Sequence, residues 1–190
     1  MSIKIYIDPG HNPRDFNTGA EGNGFLEQDI TYKVGRLLFD LFEENPEFET
    51  RLSRPTEDTL LGTNNTTALI ARVERANAFG ADLFLSLHAN ASLNPQVSGS
   101  ECLVYSAEST VAIAVSSEIL ARLSEITGLP NRGIFYRPGL YVLRKTRMPA
   151  VLVELGFITN RTDAELMAYS PSLFAEAIYQ GVLTYYGFLP

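Results

Sequence analysis

Four residues carry most of the chemistry this chain could perform. Its two histidines, His11 and His88, each follow a short apolar run. Ile3, Ile5 and Ile7 alternate with Lys4 and Tyr6 before the turn Asp8-Pro9-Gly10, and Leu83-Phe84-Leu85-Ser86-Leu87 precedes His88. Both are strand patterns, and the carboxyl ends of parallel strands are where open α/β sheets place binding groups. Two carboxylates accompany them. Glu27 ends a Gly-rich loop that leaves His11, and Glu154 interrupts the apolar run Val151–Phe157. A carboxylate inside such a run is costly to bury alone, so it must be paired, ligate a metal or face a cavity. Two histidines and one carboxylate with an open fourth position form a zinc hydrolase ligand set. A further glutamate can then act as general base. On residue type and spacing alone, the histidines fit either such a centre or ordinary structural positions.

The elements that must position these residues follow in order. The polar loop after His11, residues 12–24, holds Gly19, Gly22 and Gly24; a loop of that length in a compact domain is usually functional. Ile30, Val34, Leu37, Leu38, Leu41 and Phe42 have helical spacing, and Asn45-Pro46 stops that helix. A strand is predicted over Phe48–Ser53 and a helix over Thr66–Phe79, with Gly80 as its stop. Asp82–His88 is apolar enough to be a strand buried on both faces. Glu101–Tyr105 reads as a strand, Thr110–Thr127 as a helix and Asn131–Pro138 as an irregular basic segment. Leu140–Leu143 and Ala150–Leu155 read as strands, Asn160 opens a short helix and Pro171–Tyr186 is the last one. The alternation predicts a three-layer α/β domain.

Composition narrows the function. A length of 190 residues with 45% hydrophobic and 19% charged residues fits one folded domain. A net charge of −7 argues against nucleic acid as a partner, since that needs clustered Lys and Arg. Cys102 is the sole cysteine, so no intrachain disulfide or thiolate cluster can form, and its strand setting predicts a buried, inert thiol. No basic segment followed by an apolar stretch resembles a secretory leader. No apolar run approaches the roughly 18 residues of a membrane span.

A series of short words then adds up. In order they are Asp8-Pro9-Gly10-His11, Gly19-Ala20, Glu27, Leu52-Ser53-Arg54, Arg72 with Ala76-Asn77, Ser86-Leu87-His88-Ala89-Asn90, Asn131-Arg132-Gly133-Ile134, Leu143-Arg144, and Met148–Asn160 around Val153-Glu154-Leu155-Gly156-Phe157. Any one is weak, but the ordered series closely resembles the zinc-dependent N-acetylmuramoyl-L-alanine amidases of the type 3 family, which cleave bacterial peptidoglycan. The resemblance implies an α/β fold with a mixed, mostly parallel sheet and helices on both faces, and a single catalytic domain over residues 1–190. It implies a Zn2+ cofactor on His11, Glu27 and His88, with Glu154 catalytic. Zinc lowers the pKa of bound water and polarises the amide carbonyl. Glu154 would take the water's proton and pass it to the leaving amine of L-alanine.

The partners implied are peptidoglycan or muropeptides outside the cytoplasm, met by a monomer, with the export route open. Arg144 is a candidate for substrate carboxylates, set against a structural ion pair. Glu21 is the alternative loop ligand, and an ion pair to Arg144 or Arg54 the alternative role for Glu154. Asn90 and Asn160 read as turn formers, and Tyr136 and Tyr141 as groove or packing residues. Two departures from the family stand out: Asn12-Pro13 replaces the usual Gly-Gly, and the loop between Arg54 and Arg72 is longer and more polar. The Leu93–Gly99 segment is too short for the helix that blocks the zinc in autoinhibited members, which predicts an open site. Two other functions compete: a zinc peptidase acting on the stem peptide, and a wall-binding domain without catalysis.

Overall fold

The apolar runs pair into one six-stranded sheet. The structure is a computed structural model and describes residues 2–189. Its elements are β1 (Ile3–Pro9), β2 (Glu21–Gly22), β3 (Phe25–Leu26), α1 (Glu27–Glu43), β4 (Phe48–Leu52), α2 (Asn65–Phe79), β5 (Leu83–Asn90), β6 (Ser100–Val104), α3 (Thr110–Thr127), β7 (Asn131–Tyr136), α4 (Tyr141–Lys145), β8 (Ala150–Phe157), α5 (Arg161–Tyr169) and α6 (Pro171–Tyr186). The sheet order is β4-β1-β5-β8-β6-β7, and β2-β3 form a separate small hairpin. Within the sheet only β6 and β8 pair antiparallel. The mixed, mostly parallel sheet is therefore as expected.

Strand pleat decides which side chains reach the site, because successive residues point to opposite faces. Ile5 and Ile7 of β1, Leu83, Leu85 and Leu87 of β5, and Val151 and Val153 of β8 join the larger core, with apolar residues of α1, α3 and α6. Tyr6, Phe84, Leu103 and Leu152 face the other way and pack with α2 and α4. Asp8, Ser86, His88, Glu154 and Glu101 share the parity of this second set. The candidate residues thus lie on the face covered by α2 and α4, and the opposite face carries most of the hydrophobic stabilisation.

Several sequence expectations hold in detail. Gly80 closes α2 in the left-handed conformation, at φ 67, and Asn160 caps α5 by accepting from Asp163 N at 3.2 Å. Cys102 is a free, buried thiol, and burial pushes its pKa well above the usual range. Leu93–Gly99 forms turns and no helix.

Two expectations do not hold. Asn131–Pro138 is not irregular, because residues 131–136 form the edge strand β7. Ile134 packs on the larger core and Phe135 on the smaller, but Gly133 at φ 93 and flanking arginines hide that alternation in the sequence. Leu140–Leu143 is not a strand. Tyr141–Lys145 is the short helix α4, which buries Val142 and Leu143 against the sheet. A run of four apolar residues carries no period that separates helix from strand.

Candidate active site

The carboxylate of Glu27 sits between the two histidine rings. Its Oε1 lies 3.0 Å from His11 Nε2 and 3.0 Å from His88 Nδ1. The rings meet edge to face with centroids 4.8 Å apart. Ala89 N donates to the same oxygen at 3.0 Å, and Ala20 N to Oε2 at 2.8 Å. One candidate ligand atom from each residue lies within 4.8 Å of the others. Glu21, the alternative loop acid, is exposed on β2 and stays apart from this cluster.

Protonation favours metal binding. Burial alone would raise the Glu27 pKa, but hydrogen bonds from His11 and His88 overcome it and hold the carboxyl well below its usual range. Burial lowers the His88 pKa, so its ring is neutral. His11 Nδ1 lies 3.2 Å from both Asn17 O and Asn17 Oδ1. Donation from Nδ1 there would orient the ring and, with a metal in place, leave Nε2 to ligate it, the arrangement that orients metal-ligating histidines. Two imidazoles and a carboxylate are a donor set that fits zinc.

Adjacent parallel strands deliver the two histidines. Pro9 of β1 is in register with Leu87 of β5, so both chains emerge at one sheet end. The approach is close enough to exclude side chains. A Cβ on Gly10 would fall 2.6 Å from His88 Cε1 and 2.6 Å from Leu87 O. On Gly19, at φ +83, it would fall 2.7 Å from Glu27 Oε2 and 2.8 Å from the His11 ring. Gly19→Ala is expected to cut zinc affinity by at least about tenfold, in the range seen when ligand supports are lost. Competition with a chromophoric chelator measures this, and unchanged affinity would show that the loop can move aside.

His11 has φ 68, a left-handed conformation uncommon for a non-glycine residue. Strain of this kind persists where the surroundings over-determine it. The Arg72 guanidinium, from α2, donates to Pro9 O at 2.8 Å and to His11 O, and pairs with Asp8. Ser86 Oγ donates to the second Asp8 oxygen at 3.0 Å, and Thr31 Oγ1 to Gly10 O at 2.8 Å. Sequence reading attached no role to Arg72 or Asp8. The available signal was an arginine among the apolar residues Leu69, Val73 and Ala76 of α2.

The two segments expected to depart from the family touch each other. Asn12 is buried, and its side-chain amide donates to Leu61 O at 3.1 Å while its Oδ1 accepts from Leu61 N at 3.2 Å. The residue after His11 is thereby tied to the polar loop that follows Arg54.

Glu154 on β8 is in register with His88. Its Oε2 is shielded from solvent and has no hydrogen-bond partner among the described residues. Burial, then the charges of Glu27 and Glu101, push its pKa up to about 8. Among the described residues neither arginine suggested as its partner pairs with it. Arg54 is fully buried and donates to the carbonyls of Gln28 and Glu57, both at 3.0 Å. Arg144 is exposed on α4 and lines a pocket of about 360 Å³ with Tyr105, Arg147 and Ala150, at the far end of β8. A smaller pocket of about 130 Å³ adjoins the centre, with His11 and His88 in its wall and Leu69, Leu140, Tyr141 and Val142 around it. Tyr136 stands exposed on the edge strand. Asn90 is the last residue of β5 and not a turn former, and its Nδ2 donates to Glu101 Oε1 at 2.8 Å.

Comparison with known proteins converges on one family. The profile of the Amidase_3 family, described as N-acetylmuramoyl-L-alanine amidase, matches residues 5–184. The chain is 34% identical to N-acetylmuramoyl-L-alanine amidase LytC of Bacillus subtilis over 96% of its own length and 35% of that protein's. It is 33% identical to N-acetylmuramoyl-L-alanine amidase CwlM of Bacillus licheniformis, over 94% of this chain and 65% of CwlM. It therefore spans about a third and just under two thirds of these relatives. Among solved structures, N-acetylmuramoyl-L-alanine amidase AmiC2 of Nostoc punctiforme superposes with a TM-score of 0.85 at 31% identity, covering 97% of each chain. The fold, the profile match along nearly the whole chain and these similarities establish that the chain belongs to the N-acetylmuramoyl-L-alanine amidase family.

Proposed function

We propose that residues 1–190 act as one catalytic unit, a zinc-dependent N-acetylmuramoyl-L-alanine amidase. It hydrolyses the amide between the lactyl group of N-acetylmuramic acid and the L-alanine of the peptidoglycan stem. The observation that carries this reading is the His11–Glu27–His88 cluster with an unpartnered carboxylate, Glu154, on the neighbouring strand. His11, Glu27 and His88 would hold zinc, which supplies Lewis acidity to activate a water and polarise the amide carbonyl. Asn17 keeps the His11 tautomer, and Arg72 keeps its backbone in place.

Glu154 acts as the proton carrier. As carboxylate it accepts a proton from the attacking water, and as carboxylic acid it returns that proton to the departing amine. Its raised pKa suits both halves, because a group near its own pKa gives up a proton as readily as it takes one. The pocket beside the centre excludes water from one side with apolar residues of α2 and α4. Arg144 has no ion-pair partner among the described residues and is offered to substrate carboxylates further along the stem. No helix of the described residues is long and apolar enough to cross a membrane, and the substrate places the action outside the cytoplasm.

Stripping the protein with a chelator is expected to abolish lysis of purified walls, and one equivalent of zinc should restore it. Turbidity loss that survives complete stripping, checked by metal analysis, would contradict the zinc reading.

A further inference from the structure

A row of side chains crosses four adjacent strands on the α2/α4 face. His88 on β5 is in register with Glu154 on β8, and Glu154 with Glu101 on β6. Arg132 on β7 donates from Nε to Glu101 Oε2 at 3.0 Å. The other oxygen, Oε1, accepts from Asn90 Nδ2, which reaches over from β5 at 2.8 Å. Glu101 is buried and held at both oxygens, from β7 on one side and from β5, beyond β8, on the other. The Asn90–Glu101 contact therefore spans the strand that carries Glu154.

Two carboxylates directly opposite one another destabilise an antiparallel pair. The next pair on the same face, Leu103 with Leu152, shows what packing alone selects there. Proton transfer as described above makes no use of Glu101. The contrast in freedom is the telling feature, since both Glu101 oxygens are tied while Glu154 Oε2 has no partner. Arg132 and Asn90 thus fix the Glu101 carboxylate on the strand beside Glu154, in register with it. Glu27 repels the Glu154 carboxylate from the other side, but in the zinc-loaded protein the metal would offset that charge. Rotamers toward β6 are then disfavoured, and those toward β5, where His88 stands, remain.

We propose that Glu101, fixed by Asn90 and Arg132, is a positioning residue that aims Glu154 at the His11–Glu27–His88 centre. This rests on the reading of Glu154 as the proton carrier. It acts through a fixed charge and touches no substrate.

The test is Glu101→Gln, read by activity and by crystal structure in the zinc-loaded protein. kcat should fall about ten- to a hundredfold, the scale of a misplaced catalytic group, while KM and zinc content hold. The structure should show Glu154 turned toward β6, accepting a hydrogen bond from the introduced amide. In a Glu154→Gln background the same substitution should change the residual rate little, because coupled residues are non-additive. Arg132→Gln, which leaves Glu101 tied to Asn90 alone, serves if the first variant does not fold, and should lower kcat and leave the Glu154 carboxylate spread over more than one rotamer. An unchanged kcat, or a fall in kcat with Glu154 in its wild-type rotamer, would overturn the proposal. The rotamer decides it even if the wild type proves inactive on wall amides, so failure of the amidase reading is distinguishable.

Discussion

Glu154→Gln should lower kcat by about 10²- to 10⁴-fold, the usual contribution of a positioned acid–base group, while the protein keeps its zinc. Glutamine is isosteric and polar but cannot hold the proton between the two halves of the reaction. The same substitution should stabilise the metal-free protein. The Glu154 pKa, about 8 in the folded chain, lies above its ordinary value of 4.5. The folded state thus keeps a proton that the unfolded state releases, and stability falls as pH rises from about 4.5 to about 8. Removing the carboxyl removes that slope. Metal-free wild type and variant should melt alike near pH 4.5 and diverge upward, with the variant more stable at pH 8. A gain in stability with a loss of activity marks a site group, whereas a structural partner would give losses in both. Full activity in the variant would remove Glu154 from the mechanism.

Arg72→Met should be the most destabilising substitution of those near the site, at about 3–5 kcal/mol, the scale of breaking one side of a buried ion pair. Arg72 and Asp8 have side chains only 2% and 1% exposed. Methionine fills similar space but leaves the Asp8 charge and the carbonyls of Pro9 and His11 without their donor. The left-handed His11 backbone then loses its hold, so zinc affinity should fall with stability, by about ten- to a hundredfold. Urea unfolding of the metal-free variant and zinc competition measure the two effects separately. A fold as stable as wild type would show that the pair is replaceable by packing, as some buried pairs are.

The parts legible in sequence were those with a period or a cap. The alternation at Ile3–Ile7, the continuous run at Leu83–Leu87 and the helices Thr110–Thr127 and Pro171–Tyr186 translate directly into elements. His11, His88 and Glu154 were legible because each is a polar group at the end of or inside an apolar run, and Glu27 because it ends the Gly-rich loop and falls on the resemblance. Arg72, Asp8 and Asn12 were not legible as supports, because their partners lie far away in sequence, such as Leu61 for Asn12. Glu101 was hidden for another reason. Its importance follows from the antiparallel register that sets it against Glu154, and nothing local to Ser100–Val104 announces which strand lies beside it. The short α4 and the edge strand β7 were misread because a four-residue run and a glycine-broken strand carry too few periods.

The most direct test is mass spectrometry of purified peptidoglycan digested by metal-stripped protein with and without one equivalent of zinc. Amide hydrolysis at this centre releases intact stem peptides with a free amino group on L-alanine and leaves the lactyl group on the glycan, only when zinc is present. Shortened stems, or the same products without metal, would contradict it.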